Sequence, residues 1–205
     1  STTILASLGQ LEIHLSTRSD DACEADRILD DATDELACVL GKTLVSRCGE
    51  SLEIVVSRLL RECGCRVAVA ESCTGGLVAS RLTDVPGSSA YLEAAWVTYS
   101  NEAKIALGVN ADLISDKGAV SEDVAKAMAV AARQRAATDY GIGITGIAGP
   151  GGGSVQKPVG TVWFALARSD GIERCRKFRF GGDRSRIKFQ AAQTALDMLR
   201  RALEL

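Results

Sequence analysis

The chain has 205 residues, of which 46% are hydrophobic and 24% charged, with a formal net charge of −2. That balance fits a globular protein of one ordinary domain, or one domain with a small appendage. No apolar run reaches the roughly 18 residues of a membrane-spanning helix, and no basic segment followed by an apolar one marks a secretory leader, so a cytoplasmic location is expected.

In chain order, "LEIHL" at 11–15 alternates apolar and polar residues and predicts a half-buried strand. "SDDACEADRILDDATDELACVLG" follows as an amphipathic helix, its apolar residues at helical spacing, with Asp20 and Asp21 in the favourable first turn. Gly41 ends it, and "KTLVS" predicts a second strand, giving a small β-α-β appendage. Residues 1–45 carry nine acids against three bases, a charge of −6 that leaves +4 for the remainder. These carboxylates are expected to form a wet helix face.

From Ser51 the pattern changes. Ser51 is placed to cap a helix with a stripe of Leu52, Val55, Val56, Leu59 and Leu60, ended by Gly64. A strand over 66–70, a helix over 75–84, the turn "VPGSS" and the strand "AAWVTYS" follow. Ser100 is placed to cap a helix running to Leu107, and Ser121 a long Ala-rich helix. "YGIGITG" reads as a buried strand, and "TVWFALARS" and "IERCRKFRF" as a hairpin around Asp170-Gly171. A last helix starts near Arg184. Helices alternating with strands, then a hairpin, predict a three-layer α/β sandwich with a mixed sheet.

The chemistry concentrates at two strand ends. In "VAVAESCTGG", Ser72 stands where a buried strand turns toward a helix, the usual place for a ligand crevice in α/β folds. Three roles are open to it: nucleophile, phosphate ligand or helix cap. Gly75 and Gly76 permit close approach of a substrate or another backbone. A nucleophile needs a base, and the single histidine, His14, lies in the acidic appendage. That leaves a lysine of lowered pKa, and "WVTYSNEAK" offers Tyr99, Asn101 and Lys104. Cys73 is a rival nucleophile without a histidine to form its thiolate.

The second strand end, "GITGIAGPGGGSVQKPVG", follows Thr145 and Gly146 with a loop whose amides could cradle an anion. It does not match a nucleotide-triphosphate P-loop. Arg184, after "GGD", could add a guanidinium. The seven cysteines, at 23, 38, 48, 63, 65, 73 and 175, lack the paired spacing of a zinc site, so reduced thiols are expected and no metal. The basic residues between Arg174 and Lys188 could face a phosphate or nucleic acid, but only Phe178 and Phe180 are there to stack on bases.

Seven stretches in order, "AESCTGG", "VPGSS", "VTYSNEAK", "GAVSE", "GITGIAGPGGG", "KPVGTVWFA" and "GGDR", resemble the C-terminal domain of the CinA family, over roughly residues 50–203. The resemblance implies an amidohydrolase that converts nicotinamide mononucleotide to nicotinate mononucleotide and ammonia, with no cofactor and no metal. Carried over, it makes Ser72 the nucleophile, and Tyr99 and Lys104 base and proton-shuttling partners. Substrate contacts fall to Cys73, Thr74, Gly75, Gly76, Asn101, Thr145, Gly146, Gly149, Gly151, Gly152 and Arg184. It further implies a homo-oligomer. Residues 49–205 are expected to be the deamidase domain, and residues 1–48 the end of a connecting region of a larger two-domain protein. The serine at position 1 in place of methionine fits such a truncated or processed segment. The non-enzymatic alternative is a ligand- or partner-binding module linked to competence or DNA damage; neither nucleic acid nor membrane is the expected partner.

Overall fold

A computed structural model describes residues 1–7 and 9–204. Its main body is a five-stranded mixed sheet in the order β4-β3-β5-β6-β7. Strands β3 (Val67–Glu71), β4 (Leu92–Val97) and β5 (Tyr140–Gly146) run parallel, while β6 (Thr161–Arg168) and β7 (Gly171–Arg179) return antiparallel beside β5. Helices α2 (Leu52–Glu62), α3 (Leu77–Thr83) and α7 (Arg184–Leu203) pack together on one face. On the other lie α4 (Asn101–Leu107), α5 (Ala111–Lys117) and α6 (Glu122–Ala136). The expected three-layer sandwich is what forms, with α5 as a further short helix between α4 and α6.

The size of alternate residues sets the spacing of the layers. Val67, Val69, Ile142 and Ile144 face the α2–α3–α7 core, whereas Ala68 and Ala70 face α6. Gly141 and Gly143 complete that small-residue surface: a Cβ on either would run into the α6 backbone, at Ala129 O and Ala125 O. The glycines of "YGIGITG" are therefore a seat for the Ala125, Ala129 and Ala132 face of α6, and dense packing leaves no room for a methyl group.

On the opposite face, Arg81 ties three helices together. It pairs with Glu53 of α2, donates to Gln193 Oε1 of α7 at 2.6 Å, and lies 5.0 Å over the Phe189 ring. This fixes the start of α7 relative to α3, and with it the residues that α7 presents to the Ser72 turn. Ser100, Ser121 and Asp183 cap their helices through side-chain oxygens. Ser51 holds the cap position of α2, but its hydroxyl makes no capping bond.

The appendage differs from expectation. It is β-β-α: β1 (Thr2–Ser7) pairs antiparallel with β2 (Gln10–Leu15), and α1 (Ala22–Leu40) follows. "KTLVS" is not a strand; Gly41–Thr43 form a 3₁₀ turn and the chain then runs irregularly. Its carbonyls are claimed by a side chain instead of a ladder: the buried Arg200 guanidinium donates to Lys42 O at 2.6 Å and Leu44 O at 3.1 Å. No residue of α1 is buried. A 1420 Å³ gap separates the appendage from β7 and α7, on a different part of the molecule from Ser72.

Candidate active site

The turn after β3 is built around a residue that sequence reading passed over. Glu71, the last residue of β3, is 1% exposed. Its carboxylate accepts the amides of Gly76 at 3.0 Å, Val78 at 3.2 Å and Ala79 at 2.9 Å. Glu71 thus supplies from the strand side the oxygens that a helix N-terminus needs. Capping, one of the three roles open to Ser72, is already filled. A carboxylate closing an otherwise apolar strand, "VAVAE", was the signal available in the sequence.

Ser72 is held by its own backbone: its N–H donates to Ile144 O at 3.0 Å, and its carbonyl accepts Gly75 N–H at 3.1 Å. Gly75 and Gly76 take φ of +64° and +92°, the left-handed region where side chains are strained, so the chain reverses tightly enough to present Ser72. The Ser72 side chain meets Lys104, whose Nζ lies 3.1 Å from Ser72 Oγ. The ammonium is 1% exposed and also donates to Thr98 O at 2.8 Å and, more weakly, to Ser100 O at 3.5 Å.

This geometry follows from a short connection. Thr98 N–H donates to Glu71 O at 2.7 Å, extending β4 past its last ladder residue, and Ser100 then caps α4 through Ala103 N–H. Lys104, one turn into α4, is thereby aimed back under the strand ends. Burial pushes its pKa below the ordinary lysine value of 10.5, because an ammonium is costly where water cannot reach it; the adjacent Cys73 sulfur opposes that shift. With two hydrogens toward carbonyls and no carboxylate bound to Nζ, a neutral Lys104 can turn its lone pair to the Ser72 hydroxyl.

The other expected site residues fall into three groups. Cys73 and Thr74 are 4% and 0% exposed, so any ligand contact they make goes through backbone. Burial pushes the Cys73 thiol up to about 12, which makes it a poor nucleophile. Tyr99 is 59% exposed and makes no hydrogen bond to Ser72 or Lys104; its hydroxyl accepts from Arg184 Nη2 at 2.6 Å. Arg184 Nη1 donates to Gly149 O at 2.8 Å, so this one guanidinium joins the end of β4 to the glycine-rich loop. Asn101 is exposed at the start of α4.

In the second loop, the Thr145 hydroxyl is committed to Ala119 O at 2.7 Å. Gly146 is glycine for packing: a Cβ would sit 2.7 Å from Val162 Cγ2. Gly149 is similar, with Val159 Cγ1 at 2.6 Å. Gly151 has open space around it, and Gly152 is near only Ile147. Lys157 pins this loop by donating to Lys117 O at 2.9 Å.

Several amides of the two turns already have acceptors, including those of Gly75, Gly76, Val78, Ala79 and Ile147. Among the described residues, those of Cys73, Thr74, Ala148 and Gly149 donate to no protein group, and they are the candidates for holding a developing oxyanion. No three His, Cys, Asp or Glu side chains come together as a metal site among the described residues. The late basic residues do not form one stripe: Arg174 and Arg176 line the gap beneath the appendage, Lys177 lies 5.8 Å from the Trp163 ring centroid, and Arg184 turns to Tyr99 and Gly149.

A buried serine–lysine contact beside a glycine turn can support acyl transfer. The model of the CinA C-terminal domain matches residues 49–203. A CinA-like protein of Geotalea daltonii is 46% identical over 197 residues, covering 95% of this chain and 47% of its own length. A putative competence-damage inducible protein of Caldicellulosiruptor saccharolyticus is 42% identical over 195 residues, covering 95% of this chain and 47% of its own. The chain thus spans about half the length of the curated relatives it matches. Among solved structures, the competence/damage inducible protein CihA of Agrobacterium tumefaciens is 41% identical with a TM-score of 0.70, covering 75% of this chain and 96% of its own. A CinA superfamily protein of Klebsiella pneumoniae is 37% identical with a TM-score of 0.72, covering 75% and 96%. With its fold and three quarters of its length so matched, this chain belongs to the CinA C-terminal domain family.

Proposed function

We propose that the chain is an amidohydrolase that deamidates nicotinamide mononucleotide, with Ser72 as nucleophile and Lys104 as its base. The observation that carries this reading is the 3.1 Å contact between a fully buried lysine of lowered pKa and a serine at a strand end. Lys104 Nζ takes the Ser72 proton as Oγ attacks the carboxamide carbon, and the C=O becomes an oxyanion facing the amides of the two turns. The proton on Lys104 then goes to the departing nitrogen, and ammonia leaves. Water, deprotonated by the same amine, attacks the acyl-serine, and nicotinate mononucleotide is released. Tyr99, held at the rim by Arg184, lines the entrance in this reading and does not relay the first proton.

Residues 49–205 form the catalytic unit in this proposal, with residues 1–48 as the end of a connecting region; a cytoplasmic homo-oligomer remains part of it. The test is ammonia release from nicotinamide mononucleotide by the wild type and by Ser72→Ala. Loss of turnover with retained substrate binding is expected, and near-wild-type turnover in Ser72→Ala overturns the assignment.

A further inference from the structure

Besides Ser72 and Lys104, the Ser72 turn meets a cation that the mechanism does not use. Lys188 lies on α7, one helical turn beyond Arg184 and on the same face. Its Nζ comes within 3.6 Å, and its Cε within 3.9 Å, of where a Cβ on Gly75 would stand. The half-buried Lys188 side chain therefore lies against the turn that presents Ser72.

Neither cation is neutralised there. Among the described residues, Lys188 forms no ion pair, and Arg184 spends its guanidinium on Tyr99 Oη and Gly149 O. The nearby carboxylates have other duties: Glu71 holds three amides of the turn, and Asp183 caps α7 through Arg186 N–H. Two positive side chains thus stand beside the turn that presents the buried serine–lysine pair: Lys188 against Gly75, and Arg184 between Tyr99 and Gly149.

We propose that Lys188, with Arg184, binds the phosphate of a phosphomonoester substrate. This rests on the deamidase reading of the same site and deepens it. A substrate with a dianionic phosphate at one end and a cationic ring at the other is oriented by such a site: the phosphate is drawn to the Lys188 side, and the ring is repelled from it toward Ser72. Ser72 is then free for attack, since the phosphate has its own ligands.

The experiment measures calorimetric affinity for nicotinamide mononucleotide and for nicotinamide riboside, which lacks the phosphate. Both are titrated into Ser72→Ala protein, where no turnover occurs, and into the same protein carrying Lys188→Met or Lys188→Arg. Lys188→Met is expected to weaken the mononucleotide roughly 10- to 100-fold, the value of one hydrogen bond to a charged group. Riboside affinity stays unchanged, and Lys188→Arg keeps most of the mononucleotide affinity. Equal weakening of both ligands, or of neither, overturns the proposal, as does failure of Ser72→Ala protein to prefer the mononucleotide. Absence of ammonia release by the wild type overturns the deamidase reading instead, and leaves the phosphate preference to be judged on these affinities.

Discussion

Replacing Lys104 by methionine separates catalysis from stability. Methionine nearly fills the volume of the lysine stem, so the cavity cost is small. What is lost is the hydrogen bond to Ser72 and those to Thr98 O and Ser100 O, of which the 3.5 Å contact is weak. Neutral-strength bonds of this kind are worth about 1 kcal/mol each, so some 2 kcal/mol of favourable interaction disappears. Against that stands relief of the charge burial that lowers the Lys104 pKa, an effect of opposite sign. The net loss of stability should therefore stay below about 2 kcal/mol, which for a chain of this size moves Tm by less than roughly 8 °C.

Turnover should behave otherwise. A positioned general base contributes about 10²–10⁴-fold, so Lys104→Met should lose at least two decades in kcat. The pH dependence adds a second readout. Because burial holds the folded-state pKa below 10.5, the unfolded chain binds more protons between that lowered value and 10.5. Wild-type stability therefore gains from this group as pH rises through the window, and Lys104→Met flattens that gain. Activity of the wild type should likewise rise with pH as Lys104 becomes neutral. Ammonia release and thermal melts across alkaline pH check both. A variant that keeps more than about a hundredth of wild-type kcat would refute the base assignment, since the lower bound for such a group is about 100-fold.

Three further outcomes follow from the same geometry. Glu71→Gln leaves one of the three amides facing an NH₂ donor and removes charge from the other two bonds. It should cost about 2–4 kcal/mol, seen as a Tm drop of roughly 5–15 °C, and an unchanged melt would show that the carboxylate is not the cap. Gly143→Ala drives a methyl group into the α6 backbone and should destabilise by about 1–3 kcal/mol in urea unfolding, with no cost expected only if α6 can shift freely. Cys73, with its thiol pushed up to about 12, should escape iodoacetamide in the native protein at neutral pH while the exposed Cys23, Cys38, Cys48 and Cys63 react; peptide mapping that finds Cys73 labelled early contradicts its burial.

Periodicity and turn chemistry in the sequence determined most of the main body. The strand–helix alternation, the Ser100 and Ser121 caps and the Asp170-Gly171 hairpin are local features, set by residues close in the chain. Ser72 and Lys104 were legible as a candidate pair because the single histidine lies in the appendage and "WVTYSNEAK" puts a lysine one turn past a strand end. Tertiary structure decided what local pattern could not. Glu71 as the cap, Cys73 and Thr74 as buried side chains, and Tyr99 turned to Arg184 depend on groups brought together across the fold. The "KTLVS" segment reads as a strand from its β-branched and apolar residues, yet Arg200, more than 150 residues away in sequence, takes its carbonyls, and among the described residues no strand pairs with it. Lys188 looked like one charge in a basic run; its place against Gly75 comes from α7 docking across α3. Spacing along the chain specifies which elements form, while the contacts between elements specify which side chains meet, and only the second can turn a serine and a lysine 32 residues apart into one site.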